Sequence, residues 1–205
     1  MALATGMPVQ VRIRDAAVRL FAERGFDATS VQEIVDAAAV TKGAMYHYFR
    51  SKDDLLYEIY HAVIGEQLAH LDRILAAGRP HPQTLRGIIV DLVETTAARL
   101  AEASVFARET HRLAQEPMAA LRAERRRYHE AVRGLVARGQ EDGTFASNAS
   151  AETVTLVVFG IVNQLPQWYR PDGPKSPCEI ADELADFVLA GLASTSASHR
   201  KECDG

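Results

Sequence analysis

The segment from residue 30 to residue 52 constrains the fold of this chain most, because it encodes two very short helices joined by a tight turn. Ser30 and Glu33 form a capping-box pattern, in which the hydroxyl accepts from the Glu33 backbone N–H while the carboxylate reaches back. Thr41 is a suitable N-cap for a second helix of less than three turns, and Ser51 suits the N-cap of the helix that follows. Helices this short are unstable alone in water, so the segment predicts a small unit of helices packed on one another.

The open face of the second short helix is polar and chemically varied. It is predicted to present a hydroxyl, an ammonium, a phenol and an imidazole, from Thr41, Lys42, Tyr46 and His47. Ala44 and Phe49 are expected to point inward. A small helix with such groups suits the major groove of DNA, where side chains divide between phosphates and base edges. The alternative is a three-helix packing unit with no role in nucleic-acid binding.

The stretch from Ile13 to Leu56 resembles the DNA-binding domain of the TetR family of bacterial transcriptional repressors. The most specific matches are LFAERGF, the T-S-V-x-x-I opening of the second helix, and the run K-G-x-x-Y-x-Y-F-x-S-K. The resemblance implies a helix-turn-helix whose third helix enters the major groove, with Lys52 near a phosphate. The candidate DNA-binding residues are therefore Ser30, Thr41, Lys42, Gly43, Tyr46, His47 and Lys52.

Charge is distributed unevenly along the 205 residues, whose formal net charge is −4. Residues 1–52 contain seven Lys or Arg and five Asp or Glu, so this segment carries +2 and the remainder −6. The positive excess lies where a phosphate backbone would lie. Because the excess is small, nonspecific affinity for DNA should be weak and sensitive to salt.

Several classes of protein are disfavoured by the composition. Cys178 and Cys203 have no ligand-like spacing, which fits a protein of the reducing cytoplasm. No apolar stretch has membrane length, and the first residues lack the apolar core of a signal peptide. The motifs typical of nucleotide sites, zinc proteases and serine hydrolases are missing, and the histidines show no metal-ligand spacing. We therefore expect a protein that is not an enzyme and holds neither a cofactor nor a metal.

Apolar periodicity is helical almost everywhere, so the predicted fold class is all-α. The longer predicted helices run from about Val9 to Arg24, from Ser51 to about Gly78, and over Pro82–Ala101, Ala103–Gln115, Pro117–Asp142, Ala151–Trp168 and Cys178–Leu192. The predicted division is a three-helix helix-turn-helix domain over residues 1–52 and a helical effector-binding and dimerisation domain over residues 53–193. Residues 194–205 are predicted to form a disordered tail.

The last two predicted helices are unusually apolar. A helix that is apolar nearly all round must be covered on several sides. A two-fold partner can supply that cover, and the resemblance implies a four-helix interface built from the last two helices. The predicted homodimer interface comprises Val154, Val158, Ile161, Leu184, Phe187 and Val188. The alternative is an ordinary core helix within one chain.

Polar residues in the apolar context of the second domain indicate a ligand site. Asn163 and Gln164 interrupt the apolar run that begins at Val154, and a buried amide without partners costs about 1–3 kcal/mol. Trp168, the single tryptophan, suits a pocket wall and a core or interface anchor equally well. The candidate effector-binding residues are Phe106, Arg112, Tyr128, Asn163, Gln164 and Trp168.

A finer resemblance involves ETHRLAQEP, the Gly143–Phe145 turn and QWYRPDGPKSP. These pieces look like TetR-type regulators of fatty-acid and steroid-ring breakdown, whose effectors are acyl-CoA thioesters. Such a ligand needs a long apolar slot with cations near its mouth, which arginines between residues 108 and 133 can supply. The sequence thus predicts a homodimeric repressor that a small hydrophobic effector releases from a palindromic double-stranded operator. The alternatives are an activator or effector-free architectural protein, and a small helical enzyme or lipid carrier.

Overall fold

The computed structural model describes residues 7–109, 111–112 and 118–193, and all regular structure in these ranges is helical. In chain order the helices are α1 (Val9–Arg24), α2 (Val31–Ala37), α3 (Lys42–Tyr48), α4 (Lys52–Ala76), α5 (His81–Ala98), α6 (Leu100–Glu109), α7 (Ala119–Glu141), α8 (Ala151–Asn163), α9 (Leu165–Trp168) and α10 (Pro177–Gly191). The predicted all-α class is confirmed. The tail predicted over residues 194–205 lies outside the described residues.

Helices α1–α3, which we refer to as the head, pack around one cluster of fully buried side chains. Ile13 and Phe21 of α1 meet Ile34 of α2 in this cluster, and Met45 and Phe49 close it from the side of α3. Burying a large apolar side chain stabilises a fold by about 1.5–3 kcal/mol. This cluster therefore holds the two short helices, which could not persist alone.

Side-chain caps begin the short helices where the sequence predicts them. The Ser30 hydroxyl accepts from the Glu33 N–H at 3.2 Å, and the Ser30 N–H donates to the Glu33 carboxylate at 2.8 Å, which completes the capping box. The Thr41 and Ser51 hydroxyls accept from the N–H groups three residues onward, at 3.1 and 3.0 Å. All three predicted caps are confirmed.

The turn between α2 and α3 depends on Ala39, whose φ of 52° is left-handed. This conformation costs an L-residue with a side chain about 1–2 kcal/mol. The Ala39 N–H donates to the Asp36 carbonyl at 3.1 Å, and the Val40 N–H donates to the Val35 carbonyl at 2.9 Å. These hydrogen bonds hold a turn that the alanine-rich sequence alone does not indicate.

Helices α4–α10 form the part of the molecule that we call the body. Helix α4 extends from the head and packs against α5 and α7, while α10 lies along α5 and α8 along α7. The helix predicted over Ala151–Trp168 is wrong as one unit, because α8 ends at Asn163 and α9 is a single turn. Pro166 lacks a backbone N–H and cannot continue the hydrogen bonding of α8, which explains the break.

Two further properties concern the described residues only. None of their helices combines the length and apolar character that crossing a bilayer requires. They also contain no group of three or more His, Cys, Asp or Glu side chains placed to hold a metal ion.

Candidate functional site

Helix α3 projects its large polar side chains away from the core of the head. The exposed side chains are Lys42, Tyr46, His47 and Tyr48. The two tyrosines are 52% and 45% exposed, and the rings of His47 and Tyr48 meet edge to face with centroids 4.9 Å apart. Met45, completely buried on the opposite side of the helix, anchors α3 so that this polar face has a fixed position.

The inner side of α3 differs partly from the expectation. Phe49 is buried as predicted, but Ala44 is only half-buried and Met45 occupies the inward position. Tyr48 is an exposed neighbour that the sequence pattern does not single out. Because successive helical residues point about 100° apart, a run of three polar aromatics does not show which members share a face.

The small residues of the predicted DNA-binding set lie where α2 and α3 begin. Ser30 and Thr41 are exposed, and their hydroxyls are engaged in the caps. A Cβ added to Gly43 would meet only the Thr41 hydroxyl, at 3.8 Å, which is ordinary contact. Packing within the chain therefore does not require glycine at this position, and the missing side chain leaves the backbone open to close approach from outside.

Lys52 is bound within the protein. Its ammonium donates to the carbonyls of Phe26 and Thr29 at 2.7 and 2.9 Å and lies 4.3 Å from the centroid of the Phe26 ring. These contacts hold the loop between α1 and α2 against the start of α4. The phosphate contact of Lys52 stays a prediction. Arg50, which is exposed at the same edge of the head, is a second cation that the predicted set lacks.

The body contains a narrow cavity of about 70 Å³ between α4, α5, α6, α7, α8 and α9. Its wall comprises Val63, Ile64, Gln67, Leu92, Thr96, Arg99, Ala103, Phe106, Arg125, Tyr128, Phe159, Val162, Asn163 and Pro166. Most of these side chains are apolar, and a few polar groups stand among them. An apolar lining with a few polar groups is typical of sites for small organic ligands.

Two arginines line this cavity in different electrostatic surroundings. Arg99 donates to Glu66 at 2.7 Å and lies 3.6 Å from Glu102, so its charge is balanced. Arg125 lies 5.2 Å from the centroid of the Phe106 ring, and no acidic side chain among the described residues forms an ion pair with it. Burial lowers the pKa of the Arg125 guanidinium from its usual value.

Tyr128 adds a buried hydroxyl that has no hydrogen-bond partner among the described residues. The residue is 3% exposed, and its ring meets Phe159 edge to face with centroids 5.5 Å apart. Burial, and to a lesser extent the charge of Asp91, raises the pKa of Tyr128, so the hydroxyl stays neutral and able to donate. The rings of His129 and Phe159 are stacked with their centroids 3.7 Å apart. Burial, together with the charge of Arg125, lowers the pKa of His129.

The structure brings three of the six predicted effector residues to this cavity, namely Phe106, Tyr128 and Asn163. Gln164 is exposed at the C-terminal end of α8. Trp168 is 45% exposed and lines a neighbouring surface groove together with Phe187. Pro166, two residues before Trp168, belongs to the cavity wall, whereas Trp168 lines the groove and not the cavity.

Arg112, the sixth predicted residue, lies at the contact between body and head. Its guanidinium bonds to Asp27 at 2.5 Å and to Glu109 at 2.9 Å, and it lies 4.3 Å from the centroid of the Phe26 ring. Arg108 donates to the Ala22 carbonyl at 2.6 Å. The end of α6 and the residues after it thus hold the head, while the middle of α6 forms part of the cavity wall.

Apolar side chains on α8 and α10 are left exposed by the part of the chain that the structure describes. The most exposed of them are Leu156, Val157 and Phe187, the last of which is 70% exposed. Among the residues of the predicted interface, Ile161 and Leu184 are half-buried, whereas Val154, Val158 and Val188 are buried within the single chain. The part of α8 that a partner could cover is therefore centred on the exposed Leu156 and Val157, and not on the buried Val154 and Val158.

Two protein-family models match this chain. The model described as bacterial regulatory proteins, tetR family, matches residues 13–59. The model described as tetracyclin repressor-like, C-terminal domain, matches residues 78–192.

Individual proteins are similar over nearly the whole length. The chain is 30% identical to the HTH-type transcriptional repressor KstR2 of Rhodococcus jostii, over 90% of this chain and 91% of that protein. The structure of the ketosteroid transcriptional regulator KstR2 of Mycobacterium tuberculosis is similar with a TM-score of 0.85, at 22% identity over 95% of this chain and 100% of that one. AibR in complex with isovaleryl coenzyme A and operator DNA gives a TM-score of 0.77, at 23% identity over 88% and 97%. At these identities the two structures show a common fold.

Proposed function

Because this chain belongs to the TetR family of bacterial regulatory proteins, we propose that it is a homodimeric cytoplasmic repressor that a small hydrophobic effector releases from a palindromic operator. Members of the family regulate transcription and are not enzymes, which decides against the enzymatic alternative. The observation that supports DNA binding best is the polar face of α3, fixed from beneath by Met45.

The proposed DNA contact divides into base reading and phosphate binding. Tyr46, with His47 and Lys42 beside it, is exposed on a helix narrow enough for the major groove. Gly43 allows the backbone at the start of α3 to approach the DNA closely. We assign the phosphates to the rim of the head, where Arg50 is exposed and Lys52 stabilises the loop beside it.

The proposed dimer uses the uncovered apolar surface of α8 and α10. Phe187, Leu156 and Val157 supply its centre, with Ile161 and Leu184 at the sides. A two-fold partner would cover the same surface on both chains and would set the spacing of the two heads. Half-sites one DNA turn apart, about 34–36 Å, then fit one dimer.

The proposed effector occupies the body cavity. Phe106, Tyr128 and Asn163 are on its wall, whereas Trp168 lies in a separate groove. AibR, which shares the fold, binds isovaleryl coenzyme A, an acyl thioester. The apolar lining of the cavity suits the acyl part of such a molecule.

Helix α6 is the proposed link between the cavity and the DNA. Phe106 lies on the cavity wall, and six residues later Arg112 holds Asp27 and Phe26 of the head. A ligand that displaces α6 would disturb this contact and favour a state that binds DNA poorly. The coupling must be reciprocal, so operator DNA must weaken effector binding by the same factor. We assign Arg112 to this contact between head and body.

Operator binding by Tyr46→Ala tests the DNA-reading assignment. We expect its affinity to fall about tenfold or more, as for a lost base contact of about 1–3 kcal/mol, with helicity and dimerisation unchanged. Tyr57→Ala, which removes a half-buried tyrosine outside α3, is the matched control and should keep its affinity. Unchanged operator affinity in Tyr46→Ala would remove the assignment of α3 as the DNA-reading helix.

A further inference from the structure

Among the described residues, Arg125 is a cation of the cavity wall that has no acidic partner. Arg125 is on the cavity wall, beside the face of Phe106 rather than beside a carboxylate. A guanidinium removed from water without a counter-charge is costly, and such groups are normally paired. The aromatic ring compensates for only part of this loss.

Several acidic side chains on the surrounding helices pair with other residues. Glu66 of α4 binds Arg99, Asp91 of α5 lies 2.6 Å from His70, and Glu124 of α7 lies 3.3 Å from His61. On the next turn of α7, Glu130 pairs with Arg133. Among the described residues, no acidic side chain forms an ion pair with Arg125.

A second hydrogen-bond donor, Tyr128, lies on the same wall three residues after Arg125 on α7. The Tyr128 hydroxyl is buried without a hydrogen-bond partner, and its raised pKa keeps it protonated. Residues three apart on a helix are neighbours on its surface, so both groups belong to one side of the cavity. Together they offer a charged donor and a neutral donor, and the described residues provide neither with an acceptor.

We propose that Arg125 binds an anionic oxygen group of the effector inside the cavity, with the Tyr128 hydroxyl as the second donor. This proposal rests on the proposed effector function and specifies its ligand as an apolar molecule with an anionic oxygen group. Hydrogen bonds from a guanidinium to an oxygen anion are stronger than neutral ones, so the pair discriminates against uncharged molecules of the same shape. The anion has two possible sources, the carboxylate of a free acid or a phosphate of an acyl coenzyme A ester.

Two matched fluorescent probes test this proposal on the full chain without knowledge of the natural effector. Anilinonaphthalene sulfonate carries an anionic group, and N-phenylnaphthylamine has the same skeleton without it. We expect Arg125→Gln to weaken binding of the sulfonate about tenfold, equivalent to about 1.4 kcal/mol, and to change binding of the neutral probe little. Arg125→Lys should keep part of the affinity. Tyr128→Phe should weaken the sulfonate less than Arg125→Gln does.

The control variant is Arg126→Gln, which changes the neighbouring, exposed arginine on the same helix. It should leave the affinities for both probes unchanged. Equal effects of Arg125→Gln on the two probes, or failure of the wild-type protein to bind either, would overturn the proposal.

Competition by decanoate and by decanoyl coenzyme A distinguishes the two sources of the anion. If the carboxylate is the natural partner, Arg125→Gln weakens the binding of decanoate about tenfold and changes the binding of the thioester little. If the partner is a phosphate, the thioester is weakened instead. Release of operator DNA is measured separately in the same titrations. Selective loss of anion binding without any release of DNA would support this inference and contradict the proposed function.

Discussion

Among the described residues, unpaired buried polar atoms are more frequent in the body than in the head, where Arg12 Nε is an example. In the head, Ser30, Thr41 and Ser51 each satisfy a helix start with a side-chain hydrogen bond, and Lys52 fixes a loop through two carbonyls. In the body, the buried Tyr128 hydroxyl, His129 Nε2 and Asp91 Oδ2 have no partner among the described residues. A small surface for reading DNA requires a rigid position, whereas a ligand cavity requires donors and acceptors that the protein leaves free.

The head and the body should also differ in how closely their stability is tied to their function. The head has little apolar surface to lose, so its short helices depend on a few caps and one buried cluster. The body has many packed helices and can keep a cavity of about 70 Å³ between them. We therefore expect substitutions in the head to change stability and DNA affinity together, and substitutions in the cavity wall to change ligand response more selectively.

The largest expected effect comes from Phe187→Asp, which places a charge in the uncovered apolar surface. Two linked heads gain about 10²–10⁴ in affinity over one, so a monomeric variant should lose a comparable factor in operator binding. Light scattering and operator titration measure both effects. Ala69→Asp, at an exposed position on α4, is the control. A Phe187→Asp variant that stays dimeric would move the interface to another face.

An intermediate effect is expected from removing matched caps in the two regions. Thr41→Ala and Ser150→Ala each delete a hydroxyl that accepts from a backbone N–H at 3.1 Å, at the starts of α3 and α8. Each should lower the free energy of unfolding by about 1 kcal/mol. Only Thr41→Ala should also weaken operator binding, because α3, and not α8, is the proposed DNA-reading helix. If both variants weaken operator binding equally, the effect of a lost cap on DNA affinity does not distinguish the head from the body.

The smallest expected effect concerns pH and His129. Burial, with the nearby Arg125 charge, lowers the pKa of His129 from its usual 6.5 in the folded state. The unfolded chain therefore binds a proton more readily, so the free energy of unfolding should fall as pH decreases below about 6.5. His129→Gln should remove this part of the pH dependence in denaturant titrations at pH values from about 7 to 5. An unchanged profile would show that His129 is not desolvated.

The head could be predicted from the sequence in greater detail than the body. Its caps follow from local hydrogen-bonding patterns that can be predicted from the residue types at positions 30–33, 41 and 51. The buried position of Met45 depends on packing within the head, and the turn at Ala39 is closed by backbone hydrogen bonds that do not depend on the type of side chain.

The cavity depends on residues from six helices, and their meeting is not visible in the sequence. Asn163 is identifiable as an amide in an apolar run, whereas Phe106 and Tyr128 are aromatic residues near arginines in the sequence. Arg125 belongs to a run of three arginines, and only the structure distinguishes the one that lines the cavity from its exposed neighbours. The division of α8 from α9 by Pro166 is what separates Trp168 from the cavity wall.

The central claim is that occupation of the cavity lowers DNA affinity through α6, and a cavity-filling substitution tests it without a known effector. Ala103→Trp places an indole in the cavity from α6 itself, whereas Ala120→Trp adds the same group at an exposed position on α7. Loss of anilinonaphthalene sulfonate binding verifies that the cavity is filled, and light scattering verifies the dimer. We predict that operator affinity measured by fluorescence anisotropy falls about tenfold in Ala103→Trp, equivalent to about 1.4 kcal/mol of coupling, and is unchanged in Ala120→Trp. A folded, dimeric Ala103→Trp protein with a filled cavity and wild-type operator affinity would contradict the account.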